Sequence, residues 1–161
     1  MKHKGAKMEY STERINDLMR VYDEYLSSCR HIRMLDVYKT IVNKPAVRFW
    51  VSDIRAALVV SALMRGEIDL DSMWPLKKEM YEEIYHRVLL LRESRPDLRI
   101  SELCAIVVEQ PAPKFYLTPG SAQMMICKAR KQWKREKMKK LLISKNIAGH
   151  NTEIHVRQSN G

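Results

Sequence analysis

The sequence predicts an all-α fold, and three observations carry that expectation. Gly and Pro are scarce, five and six in 161 residues, too few for the turns of a β-sandwich or a Gly-rich nucleotide fold, while Leu, Met, Ala, Lys, Arg and Glu are plentiful. Apolar residues recur at three- and four-residue steps, the helical period. The chain also matches itself at a shift of 66. Pro45-Ala46-Val47-Arg48-Phe49-Trp50-Val51-Ser52 lies over Pro111-Ala112-Pro113-Lys114-Phe115-Tyr116-Leu117-Thr118, and both of its Phe residues fall at one repeat position. The register extends through Met34 with Ile100, Asp36 with Glu102, Val37 with Leu103, Ile41 with Val107, Val42 with Val108 and Ala56 with Ala122. Two copies of so long a period do not make a solenoid. They predict two tandem helical units.

Residues 1–10 read as a flexible N-terminus. The first unit, 11–66, opens with a helix whose inward face carries Ile15, Leu18, Met19, Tyr22, Tyr25 and Leu26, with Ser11 or Thr12 available as cap. A short helix follows over about 34–43, with Leu35, Tyr38, Ile41 and Val42 inward. After Pro45, Ser52 is a good N-cap and Asp53 suits the positive end of the next helix dipole, predicting helix over 52–65 with Gly66 as its stop. Residues 67–76 are an acidic linker. The second unit, 77–143, opens with a helix over 77–93, broken by Ser94-Arg95-Pro96-Asp97. Its last helix starts at Thr118-Pro119, where a proline loses no hydrogen bond, and runs to about Ile143. Residues 144–161 are polar and read as a poorly ordered tail.

A chain of this length can bury a sufficient core in one domain without staples. Cys29, Cys104 and Cys127 are odd in number and far apart, which argues against a disulfide framework or zinc ribbon and for a reducing cytoplasm. The longest apolar stretch, Ala56–Met64, is too short to cross a membrane. No cofactor or metal is expected.

A short helix, a Pro-containing turn and a helix beginning at a small residue follow the grammar of a helix-turn-helix, whose second helix enters the major groove. Arg48 and Lys114 are expected on that second element, with Arg55 at the polar start of the following helix. A lone positive charge in an apolar octet serves either a solvated face or a phosphate contact. Phe49, Phe115, Trp50 and Tyr116 read as core anchors rather than base-stacking platforms. The pattern P-A-x-[RK]-F-[WY]-[VL]-[ST] resembles uncharacterised small helical, helix-turn-helix-type proteins of bacterial phages and conjugative elements. That resemblance covers about residues 34–62 and 100–128 and implies DNA binding; Pro113 departs from the first copy's regularity.

Charge is unevenly placed within a formal net charge of +10: residues 1–66 contribute +5, 67–127 contribute −3 and 128–161 contribute +8. The excess concentrates in Lys128–Lys140, KARKQWKREKMKK, with eight basic residues against Glu136. Ala122, Met125, Ile126, Ala129 and Trp133 give this helix an inward face early on, while its second half is basic on nearly every side. Lys128, Arg130, Lys131, Lys134, Arg135, Lys137, Lys139 and Lys140 therefore predict a phosphate-binding surface. Enzyme signatures are absent: no H-E-x-x-H, Walker A, G-x-G-x-x-G or G-x-S-x-G occurs. The expected function is binding of double-stranded DNA, regulatory or architectural, through sequence-tolerant phosphate contacts plus limited base readout by the helix-turn-helix units, without catalysis. The alternative is a helical assembly or adaptor protein of a phage or mobile element engaging an acidic protein partner, and RNA ranks third.

Overall fold

The computed structural model describes the backbone of residues 10–158 and the side chains of 10–149. The expectation for residues 1–10 falls outside these, apart from Tyr10. The described residues are all-α: α1 Ser11–Ser28, α2 Met34–Ile41, α3 Asp53–Met64, a 3₁₀ turn at Leu70–Ser72, α4 Pro75–Ser94, α5 Ile100–Val108 and α6 Pro119–Gln158. The period of 66 reappears in these boundaries. α1 and α4 end at Ser28 and Ser94, α2 and α5 begin at Met34 and Ile100, and α3 and α6 begin at Asp53 and Pro119.

Local chemistry explains the ends. The Ser52 hydroxyl accepts from the Arg55 N–H at 3.1 Å, and Thr118 Oγ1 accepts from the Ser121 N–H at 3.1 Å, so both third helices are capped alike. Gly66 takes φ +69°, and the Glu67 N–H returns to Ala62 O at 3.0 Å; a left-handed residue here closes α3 without a Cβ penalty. By contrast, neither Ser11 nor Thr12 caps α1. Its N-cap is Tyr10, which makes no side-chain cap bond. Nor does α6 stop near Ile143: its backbone stays helical through Gln158, because Gly149 alone in SKNIAGHNTEIHVRQ is a weak breaker.

The core contains Leu18, Val37, Ile41, Phe49, Val60, Ile84, Val88, Leu103 and Val107, all fully buried. Leu35, expected inward, is 85% exposed. Val37 takes its place, since a helix this short points only one narrow face at the core.

The two repeats are joined by reciprocal backbone bonds. Ala46 and Ala112 exchange N–H···O bonds at 3.0 Å each in an isolated antiparallel bridge, while Phe49 N–H donates to Val108 O at 2.9 Å and Phe115 N–H to Val42 O at 3.0 Å. Every pair has its counterpart 66 residues on, with donor and acceptor exchanged between copies. Helix packing crosses over too. α1 packs on α2 and α4 on α5, but α3 packs on α5 and α4. The third helix of the first repeat thus lies on the first two helices of the second. In a helix-turn-helix the second helix lies on the first; the turn from α2 to α3 instead carries the chain from one repeat to the other. The chain forms two compact units, one ending at Gln123 and the other beginning at Met124, so α6 contributes its first turn to the interlocked repeats.

Candidate nucleic-acid interface

In the first unit the cations expected to bind have internal partners. Arg48 lies at the crossover with its side chain only 14% exposed. Its Nε donates to Phe49 O at 3.1 Å and Nη2 to Val51 O at 3.3 Å. Nη1 lies 3.9 Å from Glu109 Oε1, and the guanidinium sits 4.3 Å from the Tyr10 ring centroid. A guanidinium satisfied by two carbonyls and an aromatic face is turned inward, away from a phosphate. Lys114, its repeat counterpart, pairs with Glu79 and lies 5.8 Å from the Tyr116 ring centroid. Arg55 is exposed and lies near Tyr81, whose phenol is pushed up by burial, an effect that the Arg55 charge opposes. These three residues, expected to face DNA together, are distributed among separate internal contacts.

Asp17 is the residue that the apolar pattern concealed. It sits beside Leu18 on the buried face of α1. Its Oδ2 accepts from Val47 N–H at 3.0 Å and from Trp50 Nε1 at 3.1 Å, and Oδ1 accepts from Arg20 at 2.7 Å. One carboxylate thus satisfies a backbone donor and an indole at the crossover. The second repeat places Glu83 there, accepting from Arg87 Nε at 2.7 Å, while Arg87 also donates to Pro111 O at 2.9 Å and covers the Phe49 ring. Only the unusual carboxylate on an apolar face signals this in the sequence. Trp50 and Tyr116 are half-buried, and Tyr116 takes φ 53° with its ring stacked on Phe49 at 6.1 Å.

Cys104 is enclosed in the core, where burial, with a smaller contribution from Asp53, pushes its thiol up to about 11; it remains a protonated packing group. Among the described residues no three His, Cys, Asp or Glu side chains could share a metal ion. None of the described helices is long and apolar enough to cross a membrane.

The last helix differs. Along α6, Ala122 and Ile126 are buried and Met125 and Ala129 half-buried, and from Arg130 to Gly149 every side chain is exposed. The eight expected cations are all exposed, Lys128 included. Lys128, Lys131, Lys134, Arg135, Lys139 and Lys140 form no ion pair among the described residues, and Glu136, the one acid nearby, accepts from Gln132. The inward face expected of this helix ends before Trp133, which is 61% exposed with Lys137 Nζ 5.1 Å from its ring centroid. Eight cations in so short a stretch repel one another, and a helix that holds them exposed keeps a strong positive potential.

Comparison with protein-family models, curated proteins and solved structures found no match. Fold and site together define a class, an all-helical basic protein with an internal repeat and a cationic C-terminal helix.

Proposed function

We propose that the chain is a DNA-binding protein, regulatory or architectural, that grips duplex phosphates with Lys128–Lys140 of α6. The observation that carries this reading is the contrast in pairing: Arg20, Arg65 and Arg87 in the repeats meet carboxylates, whereas the cations of α6 are exposed with hardly an acid among them. A helix fits the major groove, where phosphates flank it on both sides, so charge on nearly every side of α6 suits both strands. Each phosphate neutralised releases condensed counterions, which drives binding without reading sequence. The repeats act as the scaffold, with the third helix of the first lying on the first two helices of the second. Arg48 and Lys114 then hold the fold, and the resemblance to phage and conjugative-element proteins agrees with a DNA partner.

Replacing Lys131, Lys134, Arg135 and Lys139 by Gln tests this in an anisotropy titration with random duplex across a salt series. The expected result is weaker binding to every sequence alike and a log–log salt slope flattened by about 0.9 for each phosphate that is no longer neutralised. Unchanged affinity and slope would remove α6 from the footprint and favour an adaptor that binds an acidic protein.

A further inference from the structure

The indole of Trp133 is 61% exposed, packed into no core among the described residues. It lies on α6 in the middle of the cationic stretch, flanked in sequence by Gln132 and Lys134, and more than half of its surface faces solvent. A large apolar ring in water is unfavourable, and a helix made only to follow phosphates would carry another polar residue there. Its neighbour among the described residues is Lys137, whose ammonium sits on a flexible stem over the ring. An aromatic ring beside exposed cations on one helix is the chemistry that proteins use for unstacked bases: the cations track the backbone and the ring stacks on the base, whatever its identity. A fully paired duplex offers phosphates to this surface but no free base face.

We infer that Trp133 is a base-stacking residue and that α6 therefore takes nucleic acid carrying an unpaired base next to a duplex, as at an overhang, gap or junction. This rests on the phosphate-binding reading of α6 and names its substrate class. The duplex supplies the phosphates for Lys131, Lys134 and Arg135, and the unpaired base lies on the indole. Lys137 leaves the ring when the base arrives and turns to the adjoining phosphate, so that the positive charge is retained.

The test uses the full chain and three labelled probes: a blunt duplex, the same duplex with a short single-stranded overhang, and that duplex with the overhang made abasic. The two overhangs carry equal phosphate charge and differ only in bases. The chain should prefer the base-bearing overhang by about 5- to 150-fold, the range expected for one stacked base. Trp133→Ala should erase that preference while leaving the salt slope unchanged, and Trp133→Phe should keep most of it. Circular dichroism of W133A should match the parent, since an exposed ring leaves no cavity. Running the overhang as DNA and as RNA separates the two sources of the base. Equal affinity for both overhangs, or a preference that survives W133A, overturns the inference. So does a change in oligomeric state with W133A and none in base preference, which would place Trp133 between copies of the chain. If none of the probes binds with salt-dependent affinity, the phosphate-binding reading fails first and the stacking role falls with it.

Discussion

The interlocked repeats and the cationic stretch of α6 use the same side chains for opposite purposes. In the repeats Arg48 is turned onto Phe49 O, Val51 O and the Tyr10 ring, and Lys114 onto Glu79. On α6, Lys131, Lys134 and Arg135 are exposed with no ion pair among the described residues. The difference teaches that position within the fold, more than residue type, decides whether a cation serves stability or binding. A guanidinium whose donors are satisfied internally has little left for a phosphate. An ammonium in water with no acid nearby keeps its charge available.

That comparison can be broken or sharpened by mutation. The largest effect is expected at its hydrophobic centre. Phe49→Ala and Phe115→Ala should each lower unfolding free energy by about 3–5 kcal/mol through cavity formation, read from urea denaturation. Near-equal costs would support the equivalence of the repeats, and a cost at only one would break it. A smaller effect is expected at Arg48→Gln. It removes donors from two carbonyls and should cost about 1–3 kcal/mol of stability while leaving affinity for duplex DNA unchanged in the folded protein. A loss of affinity with stability intact would return Arg48 to the binding surface. The smallest stability effect belongs to the fourfold Gln variant of α6, whose unfolding free energy should shift by no more than about 0.5 kcal/mol although its DNA binding is weakened. A large destabilisation there would mean that those cations hold structure after all.

How much is legible in the sequence varies from one element to another. The cap at Ser52, the stop at Gly66 and the start at Pro119 are readable because each depends on a few adjacent residues whose backbone geometry is intrinsic. Burial of Phe49 and Phe115 follows from their apolar setting at the same place in each repeat. Leu35 and Trp133 have the spacing of inward residues and lie outward, because a helical period reports which residues share a face but not how far a partner extends along it. Asp17 shows in the sequence only as a carboxylate on an apolar face, and its partners stay hidden because Val47 and Trp50 are 30 and 33 residues away.

The sequence by itself determined the all-helical class, the period of 66 and the concentration of positive charge beyond Lys128, since propensity, self-similarity and composition are local or additive properties. The tertiary structure alone decided that α3 packs on α5 and α4, and that Arg48 turns inward beside Val51. The physical reason lies in the duplication. Two repeats with nearly the same apolar faces offer a third helix chemically equivalent sites in either copy. The choice between them is made by long-range packing and by the reciprocal bonds of Ala46 with Ala112, not by any residue next to the turn.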